Sequence, residues 1–296
     1  MKLALVKLKF FSPYTSVPWF LEHGRGSPVP PPSTLIGALS AVYFYPEERD
    51  IPDEFVSKVK YATFWVPPYT VAENLSRHFS AYSQRKQRLK ALRAALEVAR
   101  GRHVDDAVLK DLMNYGGVQE TQKKLFKEGK ITELELSRTV TQMLFQPATR
   151  LEVYYWGDAY ALYALEEGLE ELVGGIFRIG PKETLVSAWS VRIEKVEKIR
   201  DLIKTRFYVP CRAFKEGCEA CRGQGTIGFM ALKPQADPLQ TEPEPFCIPD
   251  SAPFESSFLS FSVSDLAEGW SALRLQAPIG QPLDVVVPNA VAESIS

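Results

Sequence analysis

Val29-Pro30-Pro31-Pro32-Ser33-Thr34-Leu35-Ile36-Gly37-Ala38-Leu39 is the stretch that decides how the N-terminal half of the chain is read. Three consecutive prolines fix φ and hold the incoming backbone extended, and Ser33 or Thr34 then caps a helix with Leu35, Ala38 and Leu39 as its apolar positions. The pattern predicts an extended loop delivered onto a helix that runs to about Phe44. Such an end offers free backbone N–H groups and a positive partial charge to a phosphate or other anion. Taken alone, the stretch is more simply an ordinary strand-to-helix connection.

Upstream, Lys2 to Phe11 alternates apolar and basic residues and reads as a strand with one covered face. Between them, residues 12 to 32 carry Pro13, Pro18, Pro28 and the proline triplet around Gly24-Arg25-Gly26. A loop of that length is usually functional, and Tyr14, Trp19 and Phe20 argue against plain disorder. Downstream, Phe55 to Val66 reads as a strand ended by Pro67-Pro68, and Thr139 to Trp156 as a strand or hairpin around Pro147. Asp158 to Val173 reads as an acidic amphipathic helix closed by Gly174-Gly175. A turn at Phe177-Arg178-Ile179-Gly180-Pro181-Lys182 then enters a strand that alternates through Val191, Ile193 and Val196.

This β-α-β-β-α-β order is the ferredoxin-like plan, an α+β fold that also underlies the RRM. Its four-stranded sheet leaves one face open, and an insertion between the second and third strands projects away from it. Residues 1–68 and 149–200 are therefore expected to form an RRM-like core, with 69–148 as a thumb-like basic insertion. Residues 201–296 form a β-rich C-terminal region, where short apolar runs alternate with Pro and Gly.

Bulk composition points to no partner. The 296 residues are 45% hydrophobic and 24% charged, with a net charge of −1, so a globular core is expected and nucleic-acid binding is not written in the overall charge. Charge is instead concentrated locally. Between Arg77 and Arg102 eight Lys or Arg (77, 85, 86, 88, 90, 93, 100, 102) face the single acid Glu97. Leu89, Leu92, Leu96 and Ala99 recur at helical spacing beside Lys86, Arg93 and Arg100, which predicts a basic amphipathic helix. Such a run is commonly a solvated face, but Arg77, His78, Phe79 and Tyr82 interleave aromatics with basic groups in the way that suits unpaired bases and their phosphates. The N-terminal apolar run is broken by Lys7 and Lys9, and no stretch approaches the roughly 18 apolar residues of a membrane span, so a soluble cytoplasmic protein without membrane contact is expected.

Two segments resemble a known family. The triple-proline stretch after the first strand, and Arg178-Ile179-Gly180-Pro181-Lys182-Glu183-Thr184-Leu185-Val186 entering the fourth, resemble the Cas-five family of CRISPR-associated proteins in the RAMP superfamily, most closely its archaeal type I-A branch. The resemblance covers roughly the first 200 residues. It implies a non-catalytic, crRNA-binding subunit of a type I Cascade that caps the 5′ handle of the guide, with backbone-forming and large subunits as partners and target DNA as a further candidate. Arg77, Arg85, Lys86, Arg93 and Arg100 of the insertion are then candidates for guide phosphates. Arg25, Ser33, Thr34 and Lys182 are candidates for the handle.

Cys211, Cys218, Cys221 and Cys247 are spaced C-x6-C-x2-C-x25-C. Four soft ligands with one CxxC knuckle suit a structural, non-catalytic zinc, with two disulfides or unlinked thiols as the alternatives. Gly223-Gln224-Gly225-Thr226-Ile227-Gly228 fits a dinucleotide fingerprint only in letters, because Pro234 leaves no room for the required helix. Of the histidines, His23 beside Tyr14 and Arg25 is the one arrangement that suits a metal-independent, crRNA-processing endoribonuclease, the rival reading. A protein-interaction subunit without RNA contact is the third, and it leaves the Arg77 to Arg102 excess unexplained.

Overall fold

The computed structural model describes residues 1–16, 26–44, 53–79, 85–102, 105–116, 118–180, 184–232, 243–252 and 255–295. In chain order it has β1 (Lys2–Phe10), β2 (Tyr14–Ser16), α1 (Pro32–Phe44), α2 (Asp53–Lys58), β3 (Val59–Trp65), β4 (Tyr69–Phe79), α3 (Arg85–Ala99), α4 (Asp106–Tyr115), α5 (Glu120–Lys127), α6 (Glu133–Leu144), β5 (Phe145–Tyr155), β6 (Ala159–Leu165) and β7 (Val186–Val191). Then follow β8 (Lys195–Lys198), β9 (Leu202–Thr205), β10 (Val209–Pro210), β11 (Gly225–Met230), β12 (Glu244–Pro249), β13 (Ser251–Ala252), β14 (Glu255–Ser256), β15 (Leu259–Ser262), β16 (Trp270–Gln276), β17 (Leu283–Pro288) and α7 (Asn289–Glu293). Two compact units result: Met1–Val17, Gly26–Glu73 and Leu151–Ser296 form the first, and Pro18–Arg25 with Asn74–Arg150 form the second. Among the described residues no helix is long and apolar enough to cross a membrane.

The first unit is built on a sheet of order β3-β6-β1-β7, in which every neighbouring pair is antiparallel. Strand alternation sends Ala4, Val6 and Leu8 of β1 to one face, where α1 covers them with Leu35, Ile36 and Leu39. Tyr163 of β6 lies in the same layer and donates its hydroxyl to the Leu35 carbonyl (3.2 Å), which ties the first turn of α1 to the central strand.

The opposite face differs from expectation. Instead of lying open, it is covered over Leu5, Leu162 and Ala164 by Leu273 and Leu275 of β16, by Leu283, Val285 and Val287 of β17, and by Val291 of α7. These covering strands form a sheet of order β17-β16-β8. The C-terminal region therefore belongs to the body of this unit. A bidentate pair fixes it internally, with Arg274 Nε and Nη2 donating to Asp284 at 2.7 and 2.8 Å while the Lys204 backbone N–H donates to the same carboxylate (3.1 Å).

The helix expected over 158–173 is a strand followed by a short 3-10 helix. All seven residues of β6 are buried, because Tyr160, Leu162 and Ala164 meet one cover and Ala161, Tyr163 and Leu165 the other. A strand buried on both faces loses the polar alternation that announces it. The acids that suggested a helix, Glu166, Glu167, Glu170 and Glu171, lie beyond it, and Glu170–Gly175 makes a six-residue 3-10 helix. Likewise the strand expected from Phe55 begins at Val59, after α2 has buried Phe55 and Val56, and α6 occupies the first part of the expected 139–156 hairpin.

The second unit is mainly helical, with α3 to α6 between strand residues 74–79 of β4 and 145–150 of β5. Ala91, Ala94 and Ala95 of α3 pack with Leu112 of α4 and with Leu136 and Val140 of α6. Small side chains let the backbones approach, and Ser137 Oγ donates to the Ala95 carbonyl across that contact (2.6 Å, buried). The fully buried stripe of α3 is thus Ala91, Ala94, Ala95 and Val98; of the leucines expected from periodicity, Leu92 packs against it partly buried while Leu96 is 42% exposed. Period and helix agree, but the phase is rotated by about one residue, near 100°.

Candidate nucleic-acid interface

The two motifs singled out in the sequence converge in the first unit. Thr34, Gly37 and Ala38 from the first turns of α1, and Arg178 and Gly180 from the stretch before β7, line one cleft of about 270 Å³. That size admits a phosphate group or a chain terminus. Arg178 is half-buried, has its guanidinium 5.7 Å from the centre of the Phe177 ring, and forms no ion pair among the described residues. Gly180 has φ +88° and sits against Tyr14, whose Cε2 lies 3.1 Å from where a Cβ would stand, so the turn that delivers Arg178 needs glycine on both counts. The Ile179 N–H donates to the Thr184 carbonyl (3.2 Å) and closes the turn.

On the α1 side the loop is held before it reaches the helix. Tyr155 donates its hydroxyl to the Pro28 carbonyl (2.8 Å), and Ser27 Oγ donates to the Val29 carbonyl (2.8 Å). The expected free N–H groups are not free. Pro32 has none, the Ser33 N–H donates to the Ala231 carbonyl (3.0 Å), and those of Thr34 and Leu35 donate to the Pro31 carbonyl (3.0 and 3.1 Å). What remains for an anion is the helix dipole together with Arg178, a residue the sequence reading quoted in its motif but did not nominate. Its signal was available: it stands immediately before the Ile-Gly turn of that motif.

The remaining candidates separate by position. Ser33 lies in the first turn of α1, half-buried beside Thr34. Arg25 and Lys182 lie outside the described residues, as do His23 and His103. Arg77 on β4, and Arg85 and Lys86 at the start of α3, are described in backbone only, as is His78. Arg93 is exposed on α3 and, like the exposed Lys90, pairs with no carboxylate among the described residues. Arg100 is committed elsewhere: its Nη1 lies 3.1 Å from Glu97 Oε1, and Arg102 Nη1 lies 2.6 Å from Oε2. Arg102 first, and Arg100 after it, hold the Glu97 carboxyl below the usual carboxylate range.

The four cysteines do not form the expected tetrahedral centre. Cys211 is bonded to Cys218 and Cys221 to Cys247, with Cα atoms 4.8 and 5.5 Å apart. A sulfur in a disulfide has no thiolate charge to give a metal. No group of three or more His, Cys, Asp or Glu among the described residues is arranged to hold one. The second of the alternatives, a pair of disulfides, is what this structure contains.

No protein-family model matches the chain. In fold it is similar to a CRISPR protein from Archaeoglobus fulgidus, with a TM-score of 0.50 and 14% identity over 97% of this chain and 100% of that one. A likeness to a chain of the type III-B Cmr-beta complex bound to cognate target RNA, at TM-score 0.36 and 12% identity over 88% of this chain and 86% of that one, is too weak to argue from. The mixed α/β architecture with antiparallel sheets is thus one that a CRISPR-associated protein shares. At the level of sequence, 180 residues are 28% identical to "CRISPR-associated protein Cas5 3" of Saccharolobus solfataricus, which is 61% of this chain and 60% of the relative. The match spans about three-fifths of the length of that curated relative. The chain is thus similar in sequence to an archaeal Cas5 protein and in fold to an archaeal CRISPR protein, the same kind of protein that its two motifs resemble.

Proposed function

We propose that the protein is a non-catalytic crRNA-binding subunit of a CRISPR ribonucleoprotein, that it caps the 5′ handle of the guide, and that its assembly is a type I-A Cascade. Backbone-forming and large subunits would be its neighbours there, in the cytoplasm. The order β3-β6-β1-β7 is that of a ferredoxin-like sheet when its strands are numbered along the chain, with the second helix reduced to a short 3-10 helix, and this supports an RRM-like core. The observation that carries the reading is the cleft. Two segments far apart in sequence, each resembling a Cas-five motif, bring a helix N-terminus and an arginine with no ion pair among the described residues to one small opening. Both features favour an anion, and a single-stranded RNA end supplies one.

The test is fluorescence anisotropy with an RNA carrying the repeat-derived handle at its 5′ end and with the same RNA in scrambled order. Preference for the handle of at least roughly tenfold, lost in Arg178→Glu, is expected. Equal affinity for both RNAs would overturn the capping role. The ribonuclease reading is separated by incubation with repeat RNA in the absence of metal, where site-specific cleavage abolished by His23→Ala would replace the binding role with an enzymatic one.

A further inference from the structure

The sheet face that β16, β17 and α7 cover is covered over only part of its length. Leu3 and Leu5 of β1 pack beneath the C-terminal strands, but the next residues on the same face are Lys7 and Lys9. Across the ladder Lys7 opposes Trp189 and Lys9 opposes Ser187, and just beyond the strand ends Phe11 donates its N–H to the Leu185 carbonyl (3.0 Å). Trp189 is 48% exposed, Phe11 64% and Leu185 49%. A row of aromatic and cationic side chains therefore stands uncovered on β1 and on β7, the edge strand.

We propose that this uncovered end of the sheet is a second surface for single-stranded RNA, with bases stacked on Trp189 and Phe11 and backbone phosphates at Lys9 and Lys7. Aromatic side chains standing on strands receive bases whatever their identity, and lysines on the same face supply the charge for the backbone. Charge decides against a protein occupant, because lysine is depleted from the cores of protein interfaces while this row centres on two. Lys9 has no carboxylate partner among the described residues. Lys7 is paired with Asp158 at 2.6 Å, but both side chains are well exposed (38% and 42%), and such a pair is weak enough for a phosphate to displace.

The surface adjoins the cleft without depending on it. Arg178 and Leu185 form an antiparallel bridge, so a strand leaving the cleft reaches the edge of β7 and, around it, Leu185 and Phe11. The inference concerns a different face of the sheet from the one α1 covers, and it is tested with different residues.

The experiment uses the full chain and a single-stranded 12-mer RNA substituted with 4-thiouridine. Ultraviolet crosslinking followed by peptide mapping is expected to find adducts on the peptides containing Phe11 and Trp189. In anisotropy, Trp189→Ala is expected to weaken binding at least roughly fivefold, the lower end of what one base stack contributes, whereas Trp189→Phe keeps most of the affinity. Lys9→Glu should weaken binding and flatten its salt dependence. Absence of adducts on β1 and β7, or unchanged affinity in both Trp189→Ala and Lys9→Glu, overturns the proposal. So does a Trp189→Ala protein that binds RNA normally but no longer assembles with its partner subunits, which would make the face a protein contact. Loss of handle preference in Arg178→Glu with these adducts intact supports both readings; adducts present without any handle preference in the parent protein would sink the cleft reading alone.

Discussion

Thr34 and Arg178 line the same cleft, although one stands in the first turn of α1 and the other in the turn before β7. The helix supplies the positive end of its dipole and the turn supplies a guanidinium. Because the first-turn N–H groups already donate to Ala231 and Pro31, the guanidinium carries most of the recognition. Arg178→Glu should therefore weaken binding of handle RNA more than Thr34→Ala does, and should lower the slope of log affinity against log salt by roughly one phosphate contact. Titrations at four or five salt concentrations read both quantities.

On α3 the prediction is a contrast between neighbours. Arg93 is exposed and pairs with no carboxylate among the described residues, whereas Arg100 is held by Glu97 at 3.1 Å. Arg93→Glu should cost more RNA affinity than Arg100→Glu. Glu97→Gln releases Arg100 and Arg102 together and should tighten binding, with a salt slope steeper by roughly 0.7 for each new contact. The carboxyl of Glu97 sits below its ordinary range, so this tie is complete at neutral pH and loosens only as pH falls through that lowered range. Affinity measured at neutral pH for the three variants decides the order.

For the helical unit the sensitive position is Gly116. A Cβ there would meet the Leu112 carbonyl oxygen and, at 2.6 Å, Cγ2 of Val140, between α4 and α6. Gly116→Ala should destabilise this unit by about 1–3 kcal/mol through overpacking. Thermal unfolding followed by circular dichroism at 222 nm, where helices dominate, would show it.

The disulfides predict an unequal pair. Cys221 and Cys247 are 26 residues apart and Cys211 and Cys218 only 7, so loop-closure arguments assign about 3.5 and about 2.4 kcal/mol respectively. Cys221→Ser should lower the unfolding midpoint more than Cys218→Ser. Thiol titration of the denatured chain should find no free thiol before reduction and four after it. A stoichiometric zinc in freshly purified protein, with four titratable thiols, would restore the zinc expectation.

Asp284 is 5% exposed and accepts from Arg274 and from the Lys204 backbone. Removing it leaves a guanidinium and a backbone N–H without their acceptor. Asp284→Ala is expected to cost about 2–3 kcal/mol, less than a fully buried pair because Arg274 keeps partial access to water. Denaturant unfolding of the two proteins measures the difference.

Much of this molecule was legible in its residues, and the failures share a cause. The proline triplet, the α1 helix and the opening strand follow from local chemistry that tertiary contacts do not override, and β1 alternates because it does so in the structure. β6 was missed because a strand covered on both sides shows no alternation, and the covering layer comes from residues more than a hundred positions later. The buried stripe of α3 was misplaced because alanine and serine make the closest helix contact, and hydropathy gives leucine the greater weight. The cleft was half legible: its two motifs were recognised separately, but their meeting depends on strand order, which periodicity does not reveal.

The hydrogen bond from the Ser33 N–H to the Ala231 carbonyl means that the opening of α1 is finished by a segment two hundred residues downstream. A translating ribosome would release the proline stretch long before its acceptor exists. Until the last third has emerged, the nascent chain carries an incomplete helix start and a naked apolar sheet over Leu5, Leu162 and Ala164. Expression as a shortened N-terminal fragment should therefore give insoluble material, and recombinant production should benefit from slow synthesis or co-expressed chaperones.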